Sequence, residues 1–245
     1  MIRLDLAYDG TNFHGWARQP GVRTVEGVLQ DVLERMLGRP PKLTVAGRTD
    51  TGVHAAGQVA SFTDSSDVDP GRIQRGVNRL LAPEVVVRSA RRASEGFDAR
   101  RCASWREYLY RIDTETLPDP FTARFLWHHA GRLHVGRMRE ASTRLVGERD
   151  FASFGRVPEP TASTVRDLRR LSVSVHGSEV RVRAVANAFL HQMVRSLTGT
   201  LVAVGEGKLR PTSMPGILRA RDRAAAGPVA PPQGLVLVRV GYVRT

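Results

Sequence analysis

The sequence predicts an α/β protein of two βαββαβ halves, each a mainly antiparallel sheet flanked by helices. Three observations carry this. Strand-period and helix-period segments occur in the same order twice along the 245 residues. The helices begin at recognisable caps. Between them lie turn-forming stretches rather than long linkers.

In the first half, Ile2, Leu4, Leu6 and Tyr8 alternate with Arg3, Asp5 and Ala7, the period of a strand with one buried face. Thr24 then caps a helix whose Val25, Val28, Leu29, Val32, Leu33 and Met36 share one side. Residues 42–46 and 58–63 read as strands. Asp69-Pro70 opens a second helix with Ile73, Val77, Leu80 and Leu81 as its apolar face, and Val85 begins the next strand.

The second half repeats the order. Residues 105–112 form a strand, and 135–146 a helix carrying Met138 and Leu145. A hairpin of 171–175 and 180–184 turns at His176-Gly177. Residues 190–204 form a strongly apolar helix with Gly205 as its stop. Residues 224–233, rich in Ala and Pro, read as a surface loop, and 235–242 as the closing strand. Two ferredoxin-like domains result, 1–100 and 101–245. Such sheets can face RNA, but the architecture hosts many functions.

Composition narrows the partners. The chain is long enough for an ample core, and its 25% charged residues are ordinary for a globular protein. No apolar stretch reaches the length of a membrane span, and the amino terminus reads as a strand rather than a signal peptide. Cys102 is the sole cysteine, which excludes an internal disulfide framework and a cysteine-rich zinc site. A cytoplasmic location follows as the expectation. The net charge of +13 points to a polyanion, with nucleic acid as the leading partner. Arg dominates the positive charge, since Lys42 and Lys208 are the only lysines. Motifs for nucleotide phosphates, dinucleotides or a zinc protease are lacking, so no cofactor and no metal are expected.

The run from Ala46 to His54, Ala-Gly-Arg-Thr-Asp-Thr-Gly-Val-His, is too polar and glycine-rich for core. Two readings of Asp50 stand. A nearby Arg keeps a carboxylate ionised, as a nucleophilic or basic Asp requires. An Asp between Thr and Gly also commonly makes an Asx-turn or a cap. Asp50-Thr51-Gly52 further spells the triplet of aspartic proteases, but that chemistry needs two such loops, and neither a second D-T-G nor a D-S-G occurs.

Read together, the motifs resemble the TruA family of tRNA pseudouridine synthases over nearly the whole chain. The Ala46-to-His54 run matches its catalytic signature. Tyr8-Asp9-Gly10-Thr11 with Phe13-His14-Gly15-Trp16 resembles its amino-terminal stretch. In order follow Phe97-Asp98-Ala99-Arg100, Tyr108 and Tyr110, Asp119-Pro120-Phe121, Trp127-His128, Phe151-Ala152-Ser153-Phe154, Asn187-Ala188-Phe189-Leu190, Met193-Val194-Arg195 and Gly234-Leu235. Thr51, Arg149 and Gln192 depart from common choices, and none removes a residue that the chemistry needs.

The resemblance implies an isomerase acting on uridines at tRNA positions 38, 39 and 40, on the 3′ side of the anticodon stem-loop. It implies Asp50 as the catalytic nucleophile or base, and Arg195 as its ionic partner. It implies Arg48 as the side chain that enters the RNA stack when the base flips out, at a cost of roughly a few kcal/mol. Tyr108 would stack on the uracil, with Tyr110 left to packing. The resemblance also implies a homodimer, with the active site in a cleft between the halves. Arg88, Arg91, Arg92, Arg100, Arg101 and Arg106, along with Arg111, are candidates for phosphate contacts. His54 reads as a structural histidine, and His128-His129 as a weak metal hint. The alternative to catalysis is a tRNA-binding module on the same fold, against which intact Arg48, Asp50, Tyr108 and Arg195 argue.

Overall fold

The computed structural model describes residues 1–64, 67–156 and 162–242. Contacts divide the chain into two compact units, Met1–Ser104 with the segment from Val236 on, and Trp105–Leu235.

The first unit begins with β1 (Ile2–Tyr8), whose even-numbered residues are buried. Thr24 caps α1 (Val25–Leu37) by accepting from the Gly27 amide, and Gly38 ends it in a left-handed conformation. β2 (Thr44–Val45) is short, while β3 (His54–Phe62) starts earlier than its apolar run suggests. Asp69 accepts from the Gly71 and Arg72 amides to start α2 (Pro70–Leu81), and β4 (Val85–Arg92) follows. β1 pairs antiparallel with both β3 and β4, and β2 pairs antiparallel with β3 through Thr44↔Ser61 and Val45↔Ala60. The order β4-β1-β3-β2 is that of a ferredoxin-like sheet, with α1 and α2 burying Leu29, Leu33, Ile73 and Val77.

In the second unit, β5 (Ala103–Asp113) carries the short β6 (Trp127–His128) in parallel on one edge. Then come α3 (Val135–Thr143), β7 (Gly147–Asp150), β8 (Val165–His176), β9 (Glu179–Ala186), α4 (Met193–Gly205) and α5 (Met214–Ala220). The order β5-β9-β8-β7 is antiparallel throughout. Tyr108, Tyr110 and Ile112 of β5 and Val180, Val182 and Ala184 of β9 face inward. α4 is buried on nearly every side, as its continuous apolarity requires.

Three expectations change here. β8 extends from Val165 rather than 171, because a register shift between Leu168 and Arg170 turns both Leu168 and Leu171 inward and breaks the alternation. Gly205 does not stop α4 by a left-handed turn. It lies inside the helix end, where a Cβ would stand 2.9 Å from Met138 Sδ, so it serves close packing of α3 on α4. Residues 224–233 are no free surface loop, since Ala230 is buried and bonded to α4.

The final strand, β10 (Leu235–Tyr242), groups by its contacts with the first unit, where it runs parallel to β3 through Val236↔His54 and Leu237↔Ala55. One edge of β3 is thereby shared, by β2 at its carboxyl end and by β10 at its amino end.

Candidate active site

Asp50 stands half-buried on the connection between β2 and β3. The Val53 amide donates to the Asp50 carbonyl at 3.1 Å, closing a turn in which Gly52 takes φ +75°. That conformation favours glycine at the third position of a turn.

The segment after β1 grips this turn on two sides. The Gly52 amide donates to the Phe13 carbonyl at 3.2 Å, and the Trp16 amide to the Thr49 carbonyl at 3.0 Å. Loop backbone that would otherwise need water is thus satisfied within the protein. The gripping segment is itself clamped. Arg23 pairs with Glu84 at 2.7 Å and lies 4.4 Å over the Phe13 ring, and Asn12 donates to Glu84 at 3.1 Å. Hydrogen bonds from Arg23 and then Asn12 hold the Glu84 carboxyl below its ordinary value.

His54 is 5% exposed and accepts from the Gly10 amide at Nδ1, 3.0 Å away, with Asp9 Oδ1 at 3.2 Å. These contacts give it the structural role expected of it. Arg48 is exposed beside the half-buried Asp50, two residues apart on one connection.

Tyr108 and Arg195 belong to the second unit. Tyr108 is 7% exposed on β5, its ring edge-on to Phe189 at 5.2 Å. Tyr110 is wholly buried and its hydroxyl donates to the Pro231 carbonyl at 2.6 Å, the packing role anticipated for it. Burial pushes the Tyr110 phenol well up, and the nearby Arg195 charge offsets this only in part. Arg195, in the first turn of α4, donates from Nε to the Ala230 carbonyl at 2.7 Å, while the Ala230 amide donates back to the Arg195 carbonyl at 3.1 Å. Ala230 as the clamp of Arg195 was hidden in the sequence, because an Ala- and Pro-rich stretch carries no periodicity to mark packing.

The basic candidates divide. Arg88, Arg91, Arg92, Arg100 and Arg101 are exposed. Arg92 also pairs with Asp67, and Arg91 lies 3.9 Å from Asp5. Arg106 differs from these: it is 8% exposed and donates to the Asn187 carbonyl at 2.8 Å, so its guanidinium holds β5 to the end of β9. Arg111 is committed to Glu179 at 2.7 Å. His128 meets Asp113 at 3.2 Å and His129 meets Glu206 at 3.5 Å. Among the described residues no group of three or more His, Cys, Asp or Glu is placed to hold a metal ion. No helix there is long and apolar enough to cross a membrane.

Comparison with known proteins shows the family of the chain. A family model described as tRNA pseudouridine synthase matches residues 6–100 and 141–243. These stretches hold Arg48, Asp50 and Arg195, and Tyr108 lies between them. The tRNA pseudouridine synthase A of Cutibacterium acnes is 45% identical over 248 residues, covering 98% of this chain and 88% of that protein. That of Cereibacter sphaeroides is 42% identical over 244 residues, with 98% and 95% covered. That of Geotalea daltonii is 40% identical over 241 residues, with 98% and 99% covered. The chain belongs to the tRNA pseudouridine synthase family.

Proposed function

We propose that the protein isomerises uridine to pseudouridine in tRNA, at positions 38, 39 and 40 of the anticodon stem-loop. The observation that carries this reading is Asp50, a half-buried carboxylate on a turn gripped through Gly52 and Thr49 by the segment after β1, within a stretch that matches the family.

Four residues divide the work. A target inside a helical stem must leave the stack, and the flat guanidinium of the exposed Arg48 suits the gap it leaves. Tyr108 offers its ring to the displaced uracil. Asp50 starts the reaction as nucleophile or base, and Arg195 takes the part of its partner that the family resemblance implies. The bond from C1′ to N1 breaks, the uracil turns, and a bond from C1′ to C5 forms. C5 loses a proton and N1 gains one, so substrate and product hold the same atoms and the reaction balances without a cofactor.

The exposed Arg88, Arg91, Arg92, Arg100 and Arg101 supply phosphate contacts in this reading. It also takes the enzyme as a cytoplasmic homodimer, which sedimentation of the purified protein against its mass of 27.0 kDa tests.

The decisive experiment is mass-resolved pseudouridine mapping of undermodified tRNA incubated with the protein and no added cofactor. New pseudouridine confined to the anticodon stem-loop is expected. Asp50→Ala should still bind tRNA while turnover falls at least about 1,000-fold. Tight binding without product in the wild type would support the binding module instead.

A further inference from the structure

Beneath the Asp50 turn lies a buried polar network. Gln58, on β3, is 0% exposed, Tyr8 at the end of β1 is 4% exposed, and Thr49 is 6% exposed. The Gln58 amide nitrogen lies 2.7 Å from the Gly47 carbonyl oxygen and 3.2 Å from the Tyr8 hydroxyl, which is 2.8 Å from Thr49 Oγ1. Gln58 Oε1 accepts from the Val59 amide at 3.2 Å.

The directions of these bonds follow from the groups. A carbonyl oxygen only accepts, so the amide nitrogen must face Gly47. One amide hydrogen goes there and the other to the Tyr8 oxygen, which leaves the phenol hydrogen for Thr49. Burial raises the Tyr8 phenol to about 12 against the smaller opposing effects of Thr49 and Gln58, so the hydrogen stays on at neutral pH.

Two features set this network apart from ordinary core. An apolar residue would fill the place of Gln58 without the cost of desolvating an amide, a cost offset only when every polar group is satisfied. A register shift in β1 between Leu6 and Tyr8 pairs Tyr8 with Ala55 rather than Ala56, which re-aims the phenol. Both ends of the network reach the connection that bears Asp50. Gly47 and Thr49 flank Arg48, and Thr49 precedes Asp50.

We propose that Tyr8 and Gln58 are positioning residues, whose hydrogen bonds through Gly47 and Thr49 set the aim of Arg48 and Asp50. The inference rests on the reading of Arg48 and Asp50 as the acting residues. Tyr8 and Gln58 act at one remove from the RNA, so their loss should appear in the rate of the chemical step and not in tRNA affinity.

The test compares Tyr8→Phe, Thr49→Val, Thr49→Ser, the double variant Tyr8→Phe/Thr49→Val and Asp50→Asn in single-turnover pseudouridine formation. Equilibrium tRNA binding and melting temperature are measured alongside. Tyr8→Phe and Thr49→Val should each slow the reaction about 10- to 100-fold, with tRNA affinity changed by no more than about twofold. Thr49→Ser keeps the hydroxyl and should stay within about threefold of wild type. The double variant should be no slower than the slower single one, because both remove the same bond. Thr49→Val decides the matter if Tyr8→Phe does not fold. A lower melting temperature with an unchanged rate in the folded protein would overturn the proposal, as would fully multiplicative losses in the double variant. Asp50→Asn separates the two levels. If it keeps the wild-type rate, the reading of Asp50 fails. If it is inactive while Tyr8→Phe and Thr49→Val run at full rate, the network alone is ruled out.

Discussion

Gly15 lies so close to Thr49 that a Cβ on Gly15 would stand 2.7 Å from the Thr49 carbonyl oxygen. That oxygen is the acceptor of the Trp16 amide, one residue on. The amino-terminal segment and the Asp50 turn are therefore one packed body.

Gly15 also takes φ +84°, a conformation that side chains with a Cβ rarely adopt. Gly15→Ala should destabilise the protein by about 1–3 kcal/mol in urea unfolding. It should also slow pseudouridine formation at temperatures where the variant remains folded. A variant as stable and active as wild type would show that the segment does not restrain the turn.

Glu179 tests electrostatics in the second unit. Burial raises its carboxyl, but the hydrogen bonds and charges of Arg111 and Arg181 outweigh this and bring it from 4.5 to about 2. A depressed value means stability that is present above about 4.5 and lost as pH falls toward 2. Glu179→Gln should therefore cost on the order of 2 kcal/mol near neutral pH. The gap from wild type should narrow as unfolding is measured from about pH 5 down to about pH 3. A gap that stays flat over that range would remove the ion pairs as its cause.

The arginines should separate by function. Arg88→Gln and Arg91→Gln should each weaken tRNA binding and reduce the slope of log affinity against log salt by about 0.7–0.9. Arg106→Gln should leave that slope unchanged and lower stability by about 1–3 kcal/mol, since the Asn187 carbonyl loses its donor. Filter binding across a salt series distinguishes the two classes. An Arg106 variant with a reduced salt slope would return that residue to the phosphate contacts.

Tyr110 anchors the segment that clamps Arg195. Tyr110→Phe leaves the Pro231 carbonyl without its 2.6 Å donor and should cost about 1–2 kcal/mol. The Ala230 amide, bonded to the Arg195 carbonyl, should then exchange its hydrogen faster. Unchanged exchange at Ala230 would show that the segment is held elsewhere.

Much of the fold was legible because its signals are local. Thr24 and Asp69-Pro70 cap the helices they were expected to cap, and the alternation of Ile2 to Tyr8 names the buried face of β1. Where a signal depended on a partner it failed. The shift near Arg169 hid half of β8, because a bulge reverses which residues face inward. Short elements such as β6, β7 and α5 present too few residues for a period to show. Arg106 reads as one more surface charge because a sequence does not show that a carbonyl waits at Asn187.

The sequence by itself determined the βαββαβ order of the first unit, the polar turn around Asp50 and, through its motifs, the family. These rest on neighbours along the chain, where backbone preference and side-chain period act directly. Only the tertiary structure decided that Phe13 and Trp16 grip the Asp50 turn, that Ala230 clamps Arg195, and that β10 runs beside β3. Each of these joins residues far apart in sequence. Such contacts form where buried donors and acceptors must find partners, and that demand is set by the packed chain rather than by any stretch of it.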